Sequence, residues 1–369
     1  MGLLRLLLAC AVVFAHSGPL FGLTLTGGTV AVQTFFMISG FYMALILSEK
    51  YVGPGSLKVF VLNRVLRLFP AYWAVLLATL VSSCLAMVIL DNPGRLESYV
   101  RYWEMLDITS LLFLVFVNTL IVGQDWAMFM GVDPGGALYP LANFAQSEPQ
   151  TNKFLLLPQA WSLGIELTFY AIAPFLVRRK LRDIVLLVVA AIALRYYLYT
   201  HLDLFDDPWS YRFFPLELGM FLLGALGYKV YARYKSCDLG FLSAVLSYSF
   251  IGITFAYQFV PELGDYGRFP LKIWFYYLLA AVSIPFLFVY SKKNRVDRYI
   301  GELSYPVYIS HVLVIGALHS FGVHHPLPML VGTIILSVLL LHYVIEPVDS
   351  LRHTRCVAAN SGAFAANAG

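Results

Sequence analysis

Residues 1–22 read MGLLRLLLACAVVFAHSGPLFG, an apolar helix with two strongly polar side chains, Arg5 and His16, eleven positions apart. At ~100° and ~1.5 Å per residue, the two share nearly one helix face and lie ~16 Å apart along the axis. If the helix starts at a membrane surface, Arg5 stays near that surface and His16 comes near the middle of a hydrocarbon layer ~30 Å thick. A charged group at that depth costs roughly 2.5–3.5 kcal/mol, so such a residue faces a cavity or a partner and marks a working site. The plainer role is a neutral ring hydrogen-bonded between helices. Helix 1 alone does not choose between them.

Outward from this helix the chain keeps the same character. Of 369 residues, 60% are hydrophobic and 12% charged, with a mean hydropathy of +0.75. A soluble domain carries about 25% charged residues. Apolar runs recur at roughly 3–21, 30–48, 68–90, 108–123, 155–177, 183–200, 212–231, 239–260, 271–290, 303–320 and 327–346. The expectation is an all-α, polytopic transmembrane bundle over 1–350, with a small polar tail, 351–369, left disordered. The first run is not read as a cleaved signal, because its basic region is one residue and a second span follows at once.

The net charge of +4 gives no sign of a nucleic-acid partner. Its distribution sets the topology. Basic clusters follow the second span (Lys50, Lys58, Arg64, Arg67), the fifth (Arg178, Arg179, Lys180, Arg182), the seventh (Lys229, Arg233, Lys235), the ninth (Lys292, Lys293, Arg295, Arg298) and the last (Arg352, Arg355). The acidic stretches HLDLFDDP (201–208) and PELGDYG (261–267) fall on the other side. Both termini are then cytoplasmic, which demands an even number of crossings. Eleven runs are therefore one too many or one too few. The short run 108–123 is read as re-entrant or as lying at the outer surface, which leaves ten crossings; an added span inside 126–153 is the other repair. That long segment, rich in Gly and Pro, is expected to cap the outer mouth. The four cysteines, Cys10, Cys84, Cys237 and Cys356, are scattered, with no zinc or disulfide spacing and no metal site.

Polar residues inside the spans carry the chemistry. Ser39-Gly40 suits close helix packing. Arg64 and Arg67, spaced i, i+3, share a face at a helix entry. Two guanidinium forks match phosphate oxygens, though basic residues at this boundary also simply bind lipid headgroups. Glu166 lies in an apolar helix with Ser162 and Tyr170 one turn to either side. It must be protonated or paired. His311 in the tenth span reads first as a hydrogen-bonded core group.

Together these segments resemble a known family. RLLLACAVVFAH is similar to the first-helix signature of the acyltransferase-3 family of membrane sugar O-acyltransferases, a basic residue, ten intervening positions and then a His. FFMISGFYMALIL resembles its Phe-Phe-x-x-Ser-Gly-Phe helix, NRVLRLFPAYW its Arg-x-x-Arg and Pro-x-Tyr-Trp element, and WSLGIELTFYAIAPFL its Trp-Ser-Leu-x-x-Glu helix. ELSYPVYISHVLVI and HYVIEP resemble its last helices. The order is the family's and covers nearly the whole chain. The usual Leu-Asp-x-Leu-Arg-Gly opening is reduced here, and no esterase-like domain of the kind some members carry is expected to follow.

The resemblance implies an acyl-CoA-dependent enzyme of the bacterial inner membrane. Its donor would be acetyl-CoA and its acceptor a hydroxyl of a surface or lipid-linked glycan. By carry-over, Arg64 and Arg67 would hold the CoA phosphates with help from Arg5, His16 would be catalytic, and Ser39 and Glu166 would line or order the site. Trp161, Tyr170 and His311 would complete its lining. A neutral imidazole suits deprotonation of a hydroxyl at neutral pH, and Glu166, if near His16, would orient the ring. An acyl-histidine relay is equally compatible with these residues. So, as a different class, is a transporter or flippase for a lipid-linked sugar.

Overall fold

The computed structural model describes residues 1–266 and 268–350; the tail 351–369, with Arg352, Arg355 and Cys356, lies outside the described residues. The chain is a bundle of α-helices: α1 (Gly2–Ser17), α2 (Gly27–Glu49), α3 (Ser56–Leu90), α4 (Glu97–Tyr102), α5 (Ile108–Leu120), α6 (Trp161–Leu176), α7 (Leu181–His201), α8 (Phe214–Tyr234), α9 (Gly240–Ala256), α10 (Leu271–Ser291), α11 (Arg295–Ser320) and α12 (Pro326–Leu340). Two small antiparallel ribbons are the exceptions to an all-α fold. One pairs β1 (Met130–Val132) with β2 (Leu138–Pro140), the other β3 (Asp265–Tyr266) with β4 (Phe269–Pro270). Six helical segments are long and apolar enough to cross a membrane, and α1 and α5 are shorter apolar helices.

Two helices run beyond their apolar windows. α3 begins at Ser56 rather than near 68, and α11 at Arg295 rather than near 303. Hydropathy marks where a helix meets lipid, not where backbone hydrogen bonding starts, so polar first turns escape it. Conversely α6 begins only at Trp161, because 155–160 is extended chain and a 3-10 turn opened by Pro158.

α2 is the central helix, and glycine makes its closest contact possible. A Cβ on Gly40 would stand 1.8 Å from the Phe221 carbonyl oxygen of α8, and one on Gly224 of α8 would stand 1.8 Å from the Met37 carbonyl oxygen of α2. The reading of Ser39-Gly40 as a packing pair therefore holds for Gly40. At one end of the bundle the basic clusters gather. There Arg178 donates to the Leu47 and Tyr51 carbonyls at 2.6 Å, tying the end of α6 to that of α2. Asp297, in the first turn of α11, accepts from the backbone N–H groups of Gly2 and Leu3 at 2.8 and 2.9 Å. The carboxylate thereby caps the start of α1.

α5 stops half-way along α3. The Tyr72 hydroxyl donates to the Asn118 carbonyl at 2.5 Å and the Trp73 indole to that of Thr119 at 2.9 Å. Residues 72 and 73 lie near the middle of α3, and the chain turns there at Ile121 with φ +67°. Residues 121–160 then form short 3-10 turns and the first ribbon.

Candidate active site

A cavity of about 600 Å³ opens at the basic end between α1, α2, α3, α6 and α11. Lys292, Asp297, Arg298 and Asp349 form its rim. Arg5, Arg64 and Arg67 line its middle with Tyr42, Ser39, Glu166 and Tyr170. The i, i+3 spacing on α3 thus puts both guanidinium groups on the cavity wall, and the face of α1 that carries Arg5 adds a third. Arg64 is buried and packs over the rings of Phe60 and Tyr170 at 5.9 and 5.8 Å. Neither Arg5 nor Arg67 is ion-paired among the described residues, and their charges are within reach of each other. Like charges so placed favour an anion between them.

Glu166 projects from α6 into the same cavity. One of its oxygens accepts from the Ser39 hydroxyl at 2.5 Å and from the Tyr170 hydroxyl. The expectation that it orients His16 is not met: its hydrogen-bond partners are Ser39 and Tyr170. The residues flanking it in sequence also divide. Tyr170 lines the cavity, whereas Trp161 does not. Its ring lies under the Arg212 guanidinium at 4.4 Å and edge-on to Tyr211 at 5.2 Å.

The cavity ends at Phe35, Ser162, Ser304 and Tyr308. Tyr308 fills the end, its hydroxyl 2.6 Å from Ser162 Oγ and donating to the Gln159 carbonyl at 2.8 Å. Beyond it stand two histidines that the cavity does not touch. The His311 ring lies 6.0 Å from that of Tyr308, and the His16 ring 4.9 Å from that of His311, tilted by 55°. His311 is fully buried, whereas His16 is exposed at the end of α1. His311 was expected to line the pocket; it instead backs His16 from behind Tyr308.

Local hydrogen bonds set both rings. His16 Nδ1 lies 2.9 Å from the Val12 carbonyl oxygen one turn back, and His311 Nδ1 lies 2.7 Å from that of Tyr308. A carbonyl only accepts, so each Nδ1 carries the proton and each neutral ring keeps its lone pair on Nε2. His311 Nε2 is buried and has no hydrogen-bond partner. The geometry therefore offers one accessible base, His16 Nε2, with a second imidazole against it. Among the described residues no three His, Cys, Asp or Glu side chains are grouped to hold a metal ion.

Three further charged residues, beyond those read from the sequence, stand out at this end of the bundle. Arg212 is clamped by Asp207, Nε to Oδ1 at 2.5 Å and a second nitrogen to Oδ2 at 2.9 Å. Arg95 follows α3 in a 3-10 turn, its backbone N–H donating to Ser83 Oγ at 3.2 Å. Arg95 carries a charge next to a long apolar helix, a signal that could have been read; no spacing pointed to Asp207 or to its pairing with Arg212.

The comparisons with known proteins fall on this same region. A family model described as an acyltransferase domain matches residues 1–345. The chain belongs to the acyltransferase-3 family. The matched residues include every cavity and histidine residue named above except Asp349. Nodulation protein 10 of Rhizobium leguminosarum bv. viciae is 25% identical over 376 residues, covering 95% of this chain and 93% of its own. A protein of Staphylococcus aureus named "Putative O-acetyltransferase" is 25% identical over 334 residues, 85% of this chain; the chain spans 50% of that relative's length. An uncharacterized protein of Aquifex aeolicus is 29% identical over 163 residues, 42% of this chain and 69% of its own. No solved structure matches. With its apolar helices, this acyltransferase-3 member is an integral membrane acyltransferase.

Proposed function

We propose that the protein is an O-acetyltransferase. It takes an acetyl group from acetyl-CoA at the basic end and gives it to a hydroxyl of a surface or lipid-linked glycan at the opposite face. One observation carries the reading: a guanidinium-lined cavity whose closed end, Tyr308, stands directly against the His311–His16 pair. The positive-inside rule makes the basic end cytoplasmic, where acyl-CoA is found. Ten crossings, α1 to α3 and α6 to α12, then keep both termini inside, with α5 as a re-entrant helix. The location that follows is the inner membrane of a bacterium.

Arg64 and Arg67, joined by Arg5, hold the phosphates of CoA through charge-assisted forks. The pantetheine arm runs past Ser39, Glu166 and Tyr170 to Tyr308, which turns aside to let the thioester reach His16. His16 Nε2 accepts the proton of the acceptor hydroxyl as its oxygen attacks the thioester carbonyl. The C–S bond breaks, the thiolate leaves as CoA, and the imidazolium returns its proton to that sulfur. His311 Nε2, without another partner, takes the hydrogen bond of the imidazolium while it lasts.

His16→Ala is expected to lower acetyl transfer by about 10²–10⁴-fold, the usual worth of a general base. Acetyl-CoA should still raise the melting temperature of this variant, since its cavity is intact. Transfer at the wild-type rate by His16→Ala overturns the reading. A trapped, hydroxylamine-sensitive acetyl group on wild-type His16 replaces the base by a relay.

A further inference from the structure

The cavity and the histidine pair meet at one side chain. Tyr308 of α11 is buried, and its ring meets Phe35 of α2 edge-on at 6.3 Å. On its other side lies the His311 ring at 6.0 Å, with His16 4.9 Å from His311. The Tyr308 hydroxyl is latched to the start of α6. It donates to the Gln159 carbonyl at 2.8 Å and lies 2.6 Å from Ser162 Oγ. The Gln159 amide donates back to the Ile309 carbonyl at 2.6 Å, so bonds of opposite sense stitch the turn before α6 to α11. With the ring held there, the cavity stops at Phe35, Ser162, Ser304 and Tyr308 and touches neither histidine.

An acetyl thioester faces two oxygen nucleophiles at such a site, the acceptor hydroxyl and water. Each becomes reactive by giving a proton to His16 Nε2, so an exposed base does not choose between them. Keeping water from a reactive acyl group is a recurring task of closed active sites. The choice here falls to whatever decides when the thioester meets the base. Tyr308 stands between the two.

We infer that Tyr308 is the specificity residue that reserves the acetyl group for the acceptor and denies it to water. Its role rests on the proposed transfer from acetyl-CoA through His16. With the hydroxyl latched, a thioester in the cavity is held away from His16 and from the water around that ring. The arriving acceptor displaces this water, and the Tyr308 ring then turns aside. Ser304, one turn back on the same face of α11, is small and lines the same end of the cavity, so the turned ring lies over it. Without the ring the base activates water instead. The water oxygen bonds to the carbonyl carbon as His16 Nε2 takes one of its protons. The C–S bond breaks, the thiolate takes that proton from the imidazolium, and acetic acid leaves.

The test needs no glycan. Protein in phosphatidylcholine nanodiscs is given acetyl-CoA labelled in its acetyl group, and released acetate is counted. Wild type should hydrolyse the thioester slowly. Tyr308→Phe keeps the ring but loses the latch, and should release acetate about tenfold faster, the worth of the lost hydrogen bonds. Tyr308→Ala removes ring and latch together and should be faster still. Adding His16→Ala to either variant should abolish the gain. A damaged fold does not acquire hydrolysis that depends on His16, so the gain separates a gate from a packing residue. Release no faster than wild type by both variants overturns the inference, as does a gain that survives His16→Ala. If acetyl-CoA no longer raises the melting temperature of Tyr308→Ala, Tyr308→Phe decides alone. Failure here leaves the acetyltransferase reading standing; that reading falls only if the single variant His16→Ala still transfers.

Discussion

His16 donates Nδ1–H to the Val12 carbonyl, so its tautomer comes from its own helix rather than from a distant carboxylate. A histidine at the end of an apolar helix can do this wherever the i−4 carbonyl is free to accept a second bond, and no partner need be conspicuous in the sequence. The same economy explains why Glu166 was misplaced: its role depends on Ser39, 127 positions away, and nothing local specifies that meeting. Asp125 is the contrasting residue, a buried carboxyl on the segment that follows α5. Its Oδ1 has no partner and faces Gly164 of α6, where a Cβ would approach within 2.8 Å. Burial pushes this carboxyl up to about 7. The fold therefore prefers its protonated form. The resulting stability is fully present below the ordinary value near ~3.9 and is lost as pH rises through 7. Asp125→Asn should melt like wild type at pH 4, gain steadily on it between pH 4 and 7, and hold a constant advantage above, on the order of a few kcal/mol. A pH-independent difference between the two proteins would remove the burial argument.

Among elements, α7 and α8 are joined by a group of polar residues that the apolar periodicity conceals. Arg195 of α7 meets Glu217 of α8 at 2.8 Å, and the Gln33 amide of α2 donates to the same carboxylate at 2.8 Å. Arg195, Tyr199 and Gln33 also converge on the Ser210 carbonyl. That carbonyl lies two residues before Arg212, so the buried pair fixes the segment that lays Arg212 over Trp161. Glu217→Ala leaves a buried guanidinium uncompensated and should cost about 3–5 kcal/mol, whereas Arg195→Met with Glu217→Leu should recover most of it. Thermal unfolding of the purified variants checks this: a single variant as stable as wild type contradicts it. The order of the long helices was legible because lipid demands long apolar runs. The polar starts of α3 and α11 were not, since hydropathy is silent outside the membrane. Arg195 and Glu217 were visible as charges inside spans, the strongest warning available, but the sequence does not say which charge meets which. The cavity's arginines were legible from spacing on one face; His311, read as lining, is cut off from it by Tyr308, and Trp161 is taken up instead by Arg212 and Tyr211.

For the whole molecule the consequence is two-sidedness. The arginine-lined cavity and the exposed His16 open toward different ends, with Tyr308 between them. On the proposed function, a donor too polar to cross lipid enters from one face while the acceptor reaches the other. Sealed vesicles of defined orientation test this directly, with acetyl-CoA supplied outside. Vesicles that expose the face bearing Arg64, Arg67 and Arg298 should acetylate an acceptor trapped inside. Vesicles of the opposite orientation should acetylate nothing until made leaky. Arg5→Ala with Arg67→Ala should weaken the donor's thermal shift, because it removes two charge-assisted contacts worth roughly 1.5–3 kcal/mol each, and that loss should be steepest at low salt. Equal transfer in both intact orientations would mean that donor and acceptor share one mouth. The layer formed by Phe35, Ser162 and Tyr308 would then be an ordinary part of the core rather than the boundary across which the acetyl group passes.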